Sequence, residues 1–156
     1  MSMIRIKESL KNALKSEVDE EAMLGMSMGS SMAGIAFSNT RTTACHSISY
    51  PMTMMFNVPH GFACVLTLSE VAKRNKKAVP KINRMLEEVF GDSENGLENW
   101  LKDVSEGIQE LTLSGFGIDE KEIPRIAAAA FTAGRMDNNP VDFDQKDVED
   151  ILSAIK

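Results

Sequence analysis

Only two histidines occur in this 156-residue chain, and both lie in the uncharged stretch CHSISYPMTMMFNVPHG, at His46 and His60. Neutral imidazole is a good ligand for Zn2+ and Fe2+. Two imidazoles fill only part of a coordination shell. On spacing alone, then, two readings stand: part of a metal site, or two partly buried histidines hydrogen-bonded to backbone. Tyr50 follows His46 by four residues, which on a helix puts both on one face. His60 directly follows Pro59 at a predicted helix start, so a reversal of the chain can bring it back beside His46. The apolar residues between them offer a water-poor shell for an ion.

Other chemistries find little support. The serines near His46 have no carboxylate close by in sequence, and there is no G-x-S-x-G elbow. Cys45 adjoins His46 but points to a different helix face, which argues against a Cys–His nucleophile. Cys45 and Cys64 form no C-x-x-C pair, so a zinc ribbon or thioredoxin-type motif is excluded. They read as free thiols in a reducing cytoplasm. No glycine-rich phosphate loop is present. Glu87, Glu88, Asp103 and Glu106 read as solvated helix faces. A net charge of -6 argues against a nucleic-acid partner. The basic cluster KRNKK, Lys73 to Lys77, reads as a solvated helix C-terminus in its favourable dipole orientation. The N-terminus shows no signal-peptide pattern. The least polar stretch, Ala22 to Phe37, is too short and too rich in Gly and Ser to span a bilayer. The expectation is a cytoplasmic protein with no membrane contact.

The elements that must position these side chains are helical nearly throughout. Hydrophobic residues make up 43% of the chain but aromatics only 6%, and the 11 methionines suit helix-on-helix packing. MIRIKESLKNALK places Ile4, Leu10 and Leu14 on roughly one side. Asp19-Glu20-Glu21 forms the acidic first turn of a second helix. That helix reads as buried and central, with Gly25 and Gly29 letting another backbone come close. SNTRTT ends it and offers N-caps for the next. Pro51 bends or restarts the third element. One helix is predicted over HGFACVLTLSEVAKRN, another around VPKINRMLEEVFG, and a further one over SENGLENWLKDVSEGIQEL with Ser93 as its cap. Pro124 falls in the first turn of an alanine-rich helix, NNPVDF is a turn, and DQKDVEDILSAIK is a final amphipathic helix. No segment alternates with period two over a strand length. The fold class is all-α, a single domain over residues 1–156 with seven or eight helices.

AGIAFSNTRTTACHSISYPMTMMFNVPHGFACVLTLSEVAKRN resembles the iron-dependent (group III) alcohol dehydrogenase family. The likeness lies in a small-residue helix ending in AGIAFSN, a histidine, a ring followed directly by proline four residues on, then PHG and a helix. GIDEKEIPRIAAAAF and NNPVDF resemble the family's closing helices and Asn-Pro turn. The resemblance covers nearly the whole chain, but only the family's C-terminal helical domain, a dehydroquinate synthase-like domain. It implies an N-terminal α/β domain that binds NAD or NADP and is absent from this chain. It also implies a metal, Fe2+ or sometimes Zn2+, held by one Asp and three His. His46 and His60 match the last two histidine ligands; the D-x-x-x-H motif carrying the others would precede this chain. Tyr50 stands where many members carry a histidine near substrate and nicotinamide. It is the catalytic candidate, although a phenol has a much higher reference pKa. RTTACHSISYP is similar to a phosphonoacetaldehyde reductase-like subgroup, in which Arg41 would contact an anionic substrate; the alternative for Arg41 is a loop-surface charge.

The resemblance thus implies the metal-binding part of an NAD(P)-dependent enzyme that interconverts small alcohols and aldehydes, inactive as an isolated chain. An alternative of another class is a stand-alone helical interaction or homo-oligomerisation module with vestigial histidines. A third is a metal site completed across a dimer by His46 and His60 of two chains.

Overall fold

The computed structural model describes residues 1–91, 94–131 and 133–156. Among these there are nine α-helices, three single-turn 3-10 segments and no strand. The helices are α1 (Ser2–Ala13), α2 (Glu20–Ser38), α3 (Ala44–Phe56), α4 (His60–Leu66), α5 (Leu68–Ala78), α6 (Pro80–Phe90), α7 (Gly96–Ser105), α8 (Ile123–Ala129) and α9 (Gln145–Ser153). The all-α expectation holds. The count exceeds seven or eight because the stretch expected to form one helix after Pro59 divides at Thr67. This β-branched residue is a poor helix former, is fully buried, and sits at φ -94° and ψ -5° between α4 and α5. The cap expected at Ser93 lies outside the described residues. No described helix is long and apolar enough to cross a membrane.

α1 and α2 form an antiparallel edge pair whose contact depends on the two glycines. A Cβ at Gly25 would run into Ser9 Oγ, and one at Gly29 would come within 2.8 Å of Ile6 Cγ1. Asp19 caps α2 by accepting from the Ala22 N–H at 2.9 Å, ahead of Glu20 and Glu21. α2 is not the buried central helix expected from its composition. Only Ala22, Gly25 and Gly29 are buried, while Met23, Leu24, Met28, Ile35 and Phe37 are exposed. An apolar helix must bury some face. Here the small-residue face packs on α1 and the bulky residues point away.

The core lies where α3 packs against α8, and α8 in turn against α9. Ile48 and Met52 of α3, Ile126 of α8, and Ile151 and Leu152 of α9 are completely buried. Pro51 neither bends α3 to an end nor restarts it, and the helix runs through to Phe56. Deep burial of Ile48, Met52 and Pro51 itself holds the helix across the missing donor. Asn57 ends α3 in the left-handed region, φ 57° and ψ 25°, a conformation Asn tolerates better than most residues. The chain then turns through Val58 and Pro59 into α4.

The basic cluster is more engaged than a solvated helix end. Lys73 bridges Glu70 at 2.8 Å and Glu98 at 2.6 Å, tying α5 to α7, and Arg74 meets Glu70 at 3.1 Å. Next to Arg74, Asn75 is buried and exchanges amide hydrogen bonds with Asn139 at 3.0 and 2.9 Å. Asn139 also donates to the Val141 carbonyl at 2.8 Å, which fixes the NNPVDF turn onto α5. Asn139→Ala would leave the Asn75 amide buried without its partner, a penalty of about 1–3 kcal/mol. The expected result is a lower urea midpoint with an unchanged m-value, and Asn75→Ala in the same background should add little.

Candidate metal centre

α3 brings His46, Ser49 and Tyr50 to one side while Ile48 and Met52 anchor the opposite side in the core. The turn at Asn57 folds α4 back so that His60, its first residue, meets that side. The His46 and His60 ring centroids are 5.5 Å apart at 64°, and the Tyr50 and His60 rings are 5.8 Å apart. The structure therefore brings together the three residues singled out in CHSISYPMTMMFNVPHG. It also adds two that sequence reasoning missed. The Arg135 guanidinium lies 4.2 Å from the Tyr50 ring centroid, a cation–π stack. Cys64 Sγ lies 3.7 Å from His60 Nε2. The H-x-x-x-C spacing on a helix was a legible signal for Cys64. Arg135, far away in sequence, gave none.

A short relay sets the His60 tautomer. The buried Ser49 hydroxyl donates to the His46 carbonyl at 2.8 Å. Its single proton is thereby used, so at 3.4 Å the same oxygen can only accept from His60 Nδ1–H. The Nε2 lone pair is left free, on the side of Cys64. This is the arrangement by which an outer hydrogen bond orients an imidazole ligand. His46 Nδ1 or Nε2, His60 and Cys64 offer ligand atoms within 4.8 Å of one another.

The electrostatics favour neutral donors. Partial burial, then the charges of His60 and Arg135, hold the His46 imidazole below its ordinary pKa, so its lone pair is available at neutral pH. Burial pushes the Cys45 thiol up to about 12, and it lies in the core away from the imidazoles, as expected from its helix face. Burial also raises Cys64. Cys64 is only half-buried. With excess iodoacetamide at pH 8, one thiol per folded chain should react, mapping to Cys64, and the second should react only on unfolding. The Cys45 shift also carries a stability sign. Between the ordinary thiol pKa of 9.0 and about 12, the unfolded chain ionises and the folded one does not. Stability therefore falls as pH rises through that window.

Arg41 is exposed in the loop between α2 and α3 and is directed at Gly134, whose added Cβ would stand 4.0 Å from its Nη1. Asn138 ties the same two loops together by donating to the Thr42 carbonyl at 3.2 Å. Arg41 thus approaches the segment that carries Arg135. A cavity of about 910 Å³ opens nearby, with Thr43, Cys45, Pro59 and Gly61 among its lining residues. Its walls are almost wholly apolar, from Ile6, Phe62, Val71, Leu86, Trp100 and Leu101, and none of His46, Tyr50 and His60 lines it.

The chain is thus an all-helical domain that gathers two imidazoles, a phenol and a guanidinium on one face. Across residues 1–156 the sequence matches the model of the Fe-containing alcohol dehydrogenase family, C-terminal, and the chain belongs to that family. It is 26% identical over 159 residues to 1,3-propanediol dehydrogenase of Citrobacter freundii, covering 94% of this chain and 41% of that protein. To phosphonoacetaldehyde reductase of Streptomyces viridochromogenes it is 34% identical over 73 residues, covering 47% of this chain and 18% of the other. Among solved structures, sulfoacetaldehyde reductase of Bifidobacterium kashiwanohense in complex with NAD+ superposes with a TM-score of 0.83 at 26% identity, over 99% of this chain and 41% of that one. An alcohol dehydrogenase from Oenococcus oeni gives a TM-score of 0.88 at 22% identity, a likeness of fold. The chain spans about two-fifths of the length of the relatives it matches.

Proposed function

We propose that this chain is the metal-holding helical part of an NAD(P)-dependent oxidoreductase that interconverts small alcohols and aldehydes. The observation that carries the reading is the meeting of His46 and His60 from two helices, with the His60 tautomer fixed by Ser49. This donor set fits a divalent ion. Burial favours the neutral form of His46, Ser49 orients the His60 ring, and neither imidazole is fully buried. Fe2+, or Zn2+, would supply Lewis-acid polarisation of a substrate oxygen, and NAD or NADP would supply the hydride chemistry.

The chain's own residues have separable tasks in this reading. His46 and His60 hold the ion. Ser49 keeps His60 Nε2 unprotonated and turned outward. Tyr50 stands beside His60 and is placed to pass a proton through its phenol oxygen. Arg135 stacks on the Tyr50 ring and fixes its orientation. Arg41 and Arg135, carried on neighbouring loops, favour an aldehyde with an anionic group. The relatives named for phosphonoacetaldehyde and sulfoacetaldehyde support that substrate class. Nucleotide binding falls to a separate α/β domain, so the 156-residue chain alone transfers no hydride. The test is paired. Calorimetric titration of the purified chain with Zn2+ should show one ion per chain, and NADH or NADPH with small aldehydes should show no oxidation. Absence of ion uptake overturns the metal-holding role, and turnover overturns the need for a second domain.

A second reading draws on the exposed apolar residues of α2 and the large apolar cavity. Exposed apolar surface of that kind marks an interaction site. In this reading the chain is an oligomerisation module and the histidines are vestigial. Light scattering separates the two: a discrete oligomer that ignores added Zn2+ favours the module, and a metal-binding monomer favours the enzyme part.

A further inference from the structure

We infer that Cys64 is a third protein ligand, so that this chain by itself forms a His46–His60–Cys64 site that prefers Zn2+ to Fe2+. The inference rests on the metal-holding reading of the two histidines and adds to it a thiolate.

The distances carry it. Zn2+ bonds imidazole nitrogen at about 2.0–2.1 Å and thiolate sulfur at about 2.3 Å, and tetrahedral angles then set N···S edges of about 3.6 Å and N···N edges of about 3.3 Å. His60 Nε2 and Cys64 Sγ stand 3.7 Å apart, already close to such an edge. The three ligand atoms lie within 4.8 Å of one another, so shifts of about 1 Å in the His46 and Cys64 rotamers close the set. Without an ion, the thiol S–H has the free Nε2 as its acceptor.

The placement is built by the fold. Cys64 follows His60 by one helical turn on α4, so both point the same way. Ala63, between them in sequence, is completely buried and fixes the rotation of the helix. The Ser49 relay reserves Nε2, the atom that faces the sulfur. Cys64 is half-buried and free, whereas Cys45 is locked in the core. Soft thiolate shifts metal choice away from Fe2+ toward Zn2+. On binding, the thiol proton is released to solvent and the thiolate forms the third bond, so uptake of one ion liberates one proton.

Co2+ is the probe, because thiolate bound to Co2+ gives a charge-transfer band in the near ultraviolet that imidazole alone does not. The purified chain is titrated with Co2+ and then with Zn2+. One Co2+ per chain should bring up the band, and Zn2+ should remove it. Cys64→Ser should lose the band and bind Co2+ at least tenfold more weakly, while Cys45→Ala keeps the band. In the unaltered chain, Zn2+ should protect Cys64 from iodoacetamide, a readout that needs no variant to fold. One Co2+ bound to the native chain without the band, or Cys64 alkylated equally fast with Zn2+ present, overturns the thiolate ligand and leaves the histidine pair standing. A band that survives in His46→Ala and His60→Ala overturns the histidine pair instead. No Co2+ uptake at all overturns both.

Discussion

His60→Ala lowers the affinity of the chain for Zn2+ by roughly 100-fold or more, with little change in fold. Loss of a hydrogen-bonding partner behind a ligand costs about 10–100-fold in affinity, and loss of the ligand itself must cost at least the upper end. A factor of 100 is about 2.7 kcal/mol. His60 is exposed at the first position of α4, so truncating it should shift stability by only about 0.5 kcal/mol. The two effects are separable by thermal melts. Zn2+ at about 100 times its Kd stabilises the native state by about 2.7 kcal/mol. That is a rise of about 5–10 °C for a domain of this size. The rise should be present in the native chain and missing in His60→Ala. Ser49→Ala should fall between them, because it frees the tautomer without removing a ligand. Tyr50→Phe should leave Zn2+ affinity unchanged, since the phenol is not in the ligand cluster. Equal Zn2+ affinity for the native chain and His60→Ala would contradict the site.

The second large effect is on stability. Ile48→Ala should cost about 2–5 kcal/mol, while Ile48→Val should cost about 0.5–1.5 kcal/mol. Ile48 is completely buried between α3 and the packed face of α8, and its neighbours on that face, Met52 and Ile126, are also fully buried. A core of this density collapses only partly around a void. The melting temperature should drop by about 5–15 °C for the alanine variant. The position matters for function because Ile48 and His46 are on opposite sides of one helix. Loosening the buried side frees α3 to shift relative to α4, so Zn2+ affinity should weaken as well, although Ile48 touches no ligand. A loss of stability under about 1 kcal/mol, measured by urea unfolding at constant m-value, would show that α3 is not the anchor of the site.

The helical character and the pairing of His46 with Tyr50 and His60 were legible because both rest on local signals. Period and helix-end signals define helices: the acidic run Asp19-Glu20-Glu21 opens α2 and Pro124 falls in the first turn of α8, where the residue types point. Tyr50 lies one turn from His46, and Pro59 marks the reversal that returns His60. What failed was tertiary. α2 is as apolar as a buried helix, yet its glycine face is the packed one and its Met, Leu, Ile and Phe residues are exposed. Composition states how apolar a helix is, not which neighbours it has. Pro51 looked like a break, but core packing on both sides of it carries α3 through. The Lys73 cluster looked solvated because Glu98, its second partner, lies on another helix. Arg135 reaches Tyr50 from a loop near the end of the chain, a contact no local pattern encodes. Cys64 is the intermediate case: its spacing from His60 was visible, but only the turn at Asn57 makes that face coincide with His46.

X-ray absorption at the zinc edge, on the purified chain with one equivalent of Zn2+, tests the central claim most directly. The account predicts the outer-shell scattering of two imidazole rings, with nitrogen at about 2.0–2.1 Å, and a sulfur shell at about 2.3 Å if Cys64 joins them. A spectrum of oxygen ligands alone, with no imidazole scattering, would contradict it.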